Sequence, residues 1–379
     1  MVSAKRIFRI QLIASFICTC LIVACISTVY KLGNLKRADY FLYDFHMKWR
    51  GPVETSGTVV LVLMDEKSAM ELNRIRGHWS RKQLADALNN LCKADAEIIG
   101  LDMILSSPDR NPMDDHELAN AIYNCNNIVL SMISSTREIE TITALPVFQE
   151  GMIGDGFIDL PPDEDEVLRR ISYLYAKPLA DGSLRLIPAF SLELVRAYLN
   201  IDFAPDFSLK DHIRMGAEGE RQLLLPYPEL LINFTGDYRT FPSLSYADVV
   251  KNRFSPELVK GKIVIIGNSL AIAKDVFSTP YSRFHDISDT YKEKFGKIVK
   301  GMLGTKDLGV ACHAHAAETI LSNQFIQRFS DSKIIALIVL FGIIGLLFYI
   351  PRIGIIWTAV LLSANLAALV GISHLLFVK

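Results

Sequence analysis

Val59-Val60-Leu61-Val62-Leu63-Met64, closed by Asp65-Glu66, decides how this chain folds. Six consecutive apolar residues with no polar alternation read as a strand covered on both faces, the usual condition of strands in a parallel sheet. Downstream, Ser80-Arg81-Lys82-Gln83 has capping-box spacing, and Leu84, Leu88 and Leu91 follow at helical intervals. Ile98-Ile99-Gly100-Leu101 repeats the buried strand and ends at Asp102. Asp114 and Glu117 then open a helix carrying Leu118 and Ile122, and Ile128-Val129-Leu130 begins a third strand. Strands and helices alternating over short connections predict parallel pairing through right-handed crossovers. The fold class is therefore α/β: a doubly wound, mainly parallel sheet with helices on both faces.

The alternation breaks over residues 145–190. Gly151, Gly154, Gly156, Pro161 and Pro162 precede Arg169-Arg170-Ile171-Ser172-Tyr173-Leu174-Tyr175, which predicts antiparallel strands at a sheet edge. The 151–156 stretch reads as a turn, residues 191–199 as a short helix, and 201–220 as an irregular excursion. Leu230-Leu231-Ile232-Asn233 and Lys262-Ile263-Val264-Ile265-Ile266-Gly267-Asn268 restore the strand pattern. A last helix is predicted from near Val310 through His313, Ala317, Ile320 and Leu321.

Apolar runs frame this middle part. Residues 10–30 carry no charge and follow Lys5, Arg6 and Arg9. Residues 334–378 are nearly uncharged, interrupted by Pro351 and Arg352, and hold two spans at about twenty residues each. These features predict an anchor over 1–30, an extracytoplasmic domain over 31–333 and a two-helix transmembrane hairpin over 334–379. Ser363 and Asn365 in the last span should face another helix. Ile22-Val23-Ala24-Cys25 also fits a lipoprotein cleavage site, so Cys25 has a second reading as a lipidation site. Lys31, Lys36 and Arg37 after the first run balance the charge before it, and orientation rests on the long polar domain. With only Lys379 beyond the hairpin, the expectation is a chain that has no output domain of its own.

Among 379 residues, 40 Lys and Arg oppose 41 Asp and Glu, which argues against nucleic-acid binding. The mean hydropathy of +0.27 reflects the apolar ends. Of six cysteines, Cys18, Cys20 and Cys25 lie in the first apolar run. Cys92, Cys125 and Cys312 are too few and scattered for a disulfide framework or thiolate zinc site. Crossover helices on one face would bring Cys92 and Cys125 near each other, which permits a disulfide outside the cytoplasm, although two free buried thiols are the simpler reading.

Several separated pieces resemble, in order, the type-two CHASE domain, an extracytoplasmic sensory module of bacterial receptors. They are Tyr43-Asp44 with Arg50-Gly51-Pro52; residues 59–65; Gly100-Leu101-Asp102; the acidic stretch from Asp163 leading to Arg169-Arg170; Phe241-Pro242-Ser243-Leu244-Ser245-Tyr246-Ala247-Asp248; Gly261 to Gly267; Asp275 with Thr279-Pro280; and Gly309-Val310 with His313-Ala314. The resemblance covers about residues 40–325. It departs at Ala311, where relatives often carry an acid, and in an insertion over 281–308 whose Phe295, Ile298, Val299, Met302 and Leu303 suggest an amphipathic helix. Relatives commonly continue into a cytoplasmic kinase, cyclase or similar domain.

In doubly wound sheets ligands sit beyond the carboxyl ends of the strands. Asp65, Asp102 and Asn268 each follow a buried run, and Asp275 and His313 come in nearby loops or the start of a helix. Together they form the candidate ligand-binding set. The competing reading makes Asp65 and Asp102 helix caps and His313 a hydrogen-bonded core histidine. His313 and His315 are two apart and face different sides of a helix, unlike a chelating i, i+4 pair. No metal, cofactor or catalytic residue is expected, since no phosphate-cradling loop, H-E-x-x-H helix or G-x-S-x-G elbow occurs. The expected protein is a non-enzymatic sensory receptor of the bacterial inner membrane, with its large domain facing the periplasm or exterior. Its expected partners are a small-molecule ligand, the lipid bilayer, and a separate signalling protein or second copy reached through the transmembrane helices. The alternative is an envelope assembly scaffold, favoured by the insertion.

Overall fold

The computed structural model describes residues 4–33, 36–73, 78–134, 141–179, 181–270, 273–282, 306–326 and 331–348. The chain forms two units, one made of 1–50 with 327–379 and the other of 51–326. The first unit opens with α1 (Ala4–Lys31) and α2 (Lys36–Arg50).

The second unit is built on β1 (Val59–Met64), whose six residues are all buried. After β1 come α3 (Glu66–Glu71), α4 (Arg81–Lys93), β2 (Ile98–Leu101), α5 (Pro112–Cys125), β3 (Ile128–Met132), α6 (Pro146–Gln149) and β4 (Gly154–Phe157). Short strands β5 (Arg170–Ser172), β6 (Leu174–Pro178) and β7 (Leu184–Pro188) lead to α7 (Phe190–Tyr198). Next are β8 (Pro205–Asp206), β9 (His212–Met215), β10 (Leu223–Pro226), β11 (Glu229–Leu231), β12 (Ser243–Ser245) and α8 (Tyr246–Val250). The unit closes with β13 (Ile263–Asn268), β14 (Val276–Phe277), β15 (Asp307–Leu308) and α9 (Gly309–Ser322). The first unit resumes with α10 (Asp331–Phe348), which packs on α1.

The main sheet has six strands in the order β12-β1-β13-β2-β3-β4, and every pairing is parallel. The chain runs outward from β1 to β4, returns to the far edge as β12, and inserts β13 between β1 and β2. A late strand so placed must be apolar on both faces, which is why residues 263–266 read so clearly in the sequence. Alternate residues Val60, Val62, Met64, Ile99, Leu101, Val264 and Ile266 face one core, shared with Leu84, Leu88 and Leu91 of α4 and Leu118 and Ile122 of α5. Helices α7 and α9 cover the other face. Each large apolar side chain so buried contributes about 1.5–3 kcal/mol.

The helix starts follow their sequence signals. Ser80 accepts a 3.5 Å bond from the Gln83 N–H at the start of α4, as its capping-box spacing predicts, and Asn111 caps α5 with Pro112 behind it.

Four expectations are corrected. The antiparallel strands do not form an edge of the main sheet; they make separate small sheets, β5 with β11, β6 with β7, β8 to β10, and β14 with β15. The supposed turn over 151–156 contains an edge strand, β4, and part of the supposed irregular excursion is the three-stranded ribbon. A Cβ on Gly156 would stand 2.5 Å from the Phe190 Cα, and one on Gly154 would stand 1.9 Å from Glu193 Oε1. Glycine lets α7 lie against the strand backbone there, and it also erases the apolar pattern by which a strand is read. Finally, Cys92 and Cys125 are joined in a disulfide with Cα atoms 5.8 Å apart, not left as free thiols. Helices α4 and α5 lie side by side, and the bridge ties their carboxyl ends.

Among the described residues no helix is long and apolar enough to cross a membrane. The second predicted span, in 353–378, and most of the 281–308 insertion lie outside the described residues. The spanning assignment is thus a reading of the sequence.

Candidate functional site

The carboxyl edge of the sheet brings three of the predicted residues onto neighbouring strand ends. Met64 pairs with Asn268, placing Asp65 beside β13, and the Asp102 N–H donates to the Ile266 carbonyl at 2.9 Å. Their side chains then take different roles. Asp65 Oδ1 accepts from the Ser68 N–H at 2.8 Å, the Ser68 hydroxyl at 2.6 Å and the Ser245 hydroxyl at 2.9 Å. It caps α3 and ties that helix to β12. Asn268 Oδ1 accepts from the Leu270 N–H at 3.0 Å and shapes the turn after β13.

Asp102 has no such employment. Its Oδ2 is buried without a hydrogen-bond partner, although the residue as a whole keeps some exposed surface. A Cβ on Gly267 would stand 3.3 Å from that oxygen and 2.6 Å from the Val310 Cβ, so the glycine makes room for both the carboxylate and the start of α9. Asp275 comes to the same place from the loop before β14. Its carboxylate lies over Gly309, where a Cβ would meet Oδ1 at 2.3 Å, and its backbone carbonyl accepts from the Gly309 N–H at 3.0 Å. Helix α9 has no side-chain cap, and the two acids gather beside its first turn.

Burial first, and the negative charge of Asp275 second, push the Asp102 carboxyl up to about 8. Burial also raises Asp275. A pair of this kind takes up a proton or a cationic group readily, because one neutralised member relieves both the desolvation and the repulsion. Cys312, one turn into α9, feels Asp307, Asp275 and Asp102, and with burial as the main cause its thiol is held well above its ordinary range.

His313 stands apart from this pair. It is 3% exposed, packs edge to face on Phe190 with centroids 5.5 Å apart, and is pushed down to about 4 by burial, opposed by a hydrogen bond to the Ile158 backbone. The structure thus brings Asp102 and Asp275 together, with Asn268 near them, while Asp65 and His313 have structural partners elsewhere. Among the described residues no group of three or more His, Cys, Asp or Glu side chains is placed to hold a metal.

Three polar clusters escaped sequence reasoning. His315 Nδ1 accepts from the Thr235 N–H at 3.3 Å, which leaves the ring proton on Nε2, 3.5 Å from Asp307 Oδ2. Glu318 accepts from the Ser56 N–H at 2.7 Å and its hydroxyl at 2.9 Å. Arg169, 1% exposed, binds Asp163 at 3.0 Å and Asp165 at 2.8 Å, and Arg170 adds Asp163 and Glu229. Only the last had a signal, the acidic run before paired arginines. The others join residues far apart in sequence. Twelve of the fourteen residues of α9 are buried, and these contacts explain how a helix with histidine and glutamate within it can be so.

No curated protein and no solved structure matches the chain. The family model of the CHASE2 domain matches residues 19–347, in agreement with the resemblance carried by the separated motifs. Since that match spans most of its length, the chain belongs to the CHASE2 family of sensory domains.

Proposed function

We propose that this protein is a membrane-anchored, non-enzymatic receptor of the bacterial inner membrane. Its α/β unit faces the periplasm or exterior and senses a small molecule or envelope condition. The response passes through the packing of membrane helices to a separate signalling protein or a second copy. One observation carries this reading: the unpartnered carboxylate of Asp102 beside Asp275 at the start of α9. An unsatisfied buried acceptor costs about 1–3 kcal/mol, so a ligand that supplies the missing donor has a ready source of affinity. A ligand shifts a conformational equilibrium only through differential affinity, and a group at the foot of a buried helix can supply it. The chain leaves that helix at Asn323 and continues into the segment bearing α10.

Anchoring is supported by residues 10–30, which carry no charge, and by apolar side chains displayed on α1, where Ile13, Phe16, Ile17, Leu21 and Ile22 are each more than half exposed. The Cys92–Cys125 bridge supports an oxidising compartment.

Native mass spectrometry of the full-length protein released from nanodiscs tests the reading. The expected result is a small molecule retained by the wild type and lost from Asp102→Asn, with unchanged circular dichroism. A wild type that retains no small molecule but carries a stoichiometric partner protein would favour the assembly-scaffold alternative. No described contact favours that alternative, because residues 283–305 of the insertion lie outside the described set.

A further inference from the structure

Helix α2 displays an exposed apolar edge. Phe41 is 53% and Trp49 52% exposed, and Leu42 is also exposed. Phe41 stacks on Phe45 at 6.4 Å between centroids, and Phe45 meets Trp49 at 5.4 Å, forming a ladder along one side. At about 100° per residue, Ala38, Phe41, Leu42, Phe45 and Trp49 fall in one arc of about 100°. Arg37 and Lys48 border that arc. Of the two carboxylates on the helix, Asp44 is fully buried and Asp39 lies outside the arc.

Resting on the membrane-anchored reading, we propose that α2 lies in the outer membrane–water interface, its Phe41–Phe45–Trp49 edge seated among anionic lipid headgroups. Residues 32–35, between α1 and α2, cover at most about 14 Å, so α2 starts close to wherever the apolar run of α1 leaves the bilayer. Aromatic rings bordered by basic side chains suit that layer, where one end of each ring is apolar and the phosphates attract the cations. A second copy of the chain fits less well. Two such edges meeting antiparallel would set Arg37 and Lys48 against their own counterparts, with Asp44 buried and Asp39 on the far side of the arc. Helix α2 would then couple the sensory unit to the lipid surface.

The test uses the full chain with Trp49 as sole tryptophan (Trp79→Phe, Trp357→Phe), reconstituted in phosphatidylglycerol-containing nanodiscs. Lipids brominated near the headgroup end of the acyl chain should quench roughly half or more of its emission, and aqueous acrylamide should quench it little. A chain with Cys18, Cys20 and Cys25 replaced by serine and carrying Phe41→Cys labelled with an environment-sensitive dye gives a second readout, expected to shift to the blue on adding anionic but not neutral lipid. Free quenching by acrylamide overturns the proposal. So does protection from both quenchers with cross-linking of Ala38→Cys between copies, which would place a second chain on the edge. Carbonate extraction of native membranes separates the two levels: a retained protein with unquenched Trp49 sinks this inference alone, whereas an extracted protein sinks the anchoring on which it rests.

Discussion

Asp102 and Asp275 converge at the first turn of α9, and the charge of Asp275 adds to burial in holding the Asp102 carboxyl at about 8. Unfolding returns Asp102 to its ordinary value near 3.8. Between these values the folded state binds the proton and the unfolded state does not, so the stability that Asp102 contributes is full below about 4 and is lost as pH rises to about 8. Asp102→Asn should remove that decline and stabilise the fold at pH 8 relative to wild type by on the order of 2–4 kcal/mol after relaxation around the buried acid, seen as a higher melting temperature. Thermal unfolding of the full-length protein across pH 4–9 checks it. An asparagine variant less stable than wild type at pH 8 would show that the ionised acid holds the fold together.

His313 sets the opposite slope. Burial lowers its folded value to about 4 against an ordinary 6.5, so its contribution is present above 6.5 and is lost as pH falls towards 4. From pH 4 to 6.5 it offsets the slope of Asp102, so that the joint contribution of these two groups is nearly flat there and falls only between about 6.5 and 8. His313→Phe should unmask the Asp102 slope through the acid range. The discriminating measurement is the proton balance on unfolding at pH 5.5, which should shift by about one proton towards release in the variant.

Four strands of the sheet were legible because a strand covered on both faces must be apolar throughout, and 59–64, 98–101, 128–130 and 263–266 are. The insertion of β13 between β1 and β2 was not legible, since strand order depends on long-range pairing and leaves no local mark. Strand β4 hid behind the glycines that admit α7. The site shows the same division. Asp65 and Asp102 look alike, each an acid after a buried strand. Helix α3 begins immediately after Asp65 and offers Ser68 as its partner, whereas Asp102 is followed by a loop and finds none. Position at the sheet edge could be read from sequence; the partner that decides the role could not.

Asp65→Ala should therefore behave as a cap deletion that also severs the Ser245 tie, costing about 1–2 kcal/mol. Asp65→Asn keeps an acceptor and should recover most of that loss. Chemical denaturation of both variants, with the same native mass spectrometry used for Asp102, separates capping from ligand contact. Loss of a retained molecule in Asp65→Asn at wild-type stability would return Asp65 to the ligand set.

Gly156→Ala probes the contact that made β4 invisible. Its methyl would stand 2.5 Å from the Cα of Phe190, a backbone atom that cannot rotate away, so α7 must shift off the sheet. The expected cost is about 3 kcal/mol or more, at or beyond the upper end of ordinary overpacking. Hydrogen exchange should place the added opening in α7 and β4 and leave α4 and α5 protected. Uniform loss of protection would mean that the two faces of the sheet unfold as one.

The Cys92–Cys125 bridge closes a loop of sequence separation 33 and fastens α4 to α5 at their carboxyl ends. At the other ends Arg81 Nε stands 3.6 Å from Asp115 Oδ1, so the helix pair is held at both extremities. Removing the covalent tie restores chain entropy to the unfolded state, a loss of about 3–4 kcal/mol of stability for a loop of this length. For a unit of this size that is roughly 5–15 °C in melting temperature. The Arg81 contact and the buried leucines between the helices should keep the pair in register, so Cys92→Ser with Cys125→Ser lowers the melting temperature without altering the circular dichroism. Adding reductant should bring the wild type down to the double variant and leave the variant unmoved. A wild type indifferent to reductant, with two titratable thiols at these positions after unfolding, would place the chain in a reducing compartment and remove one support for an extracytoplasmic domain.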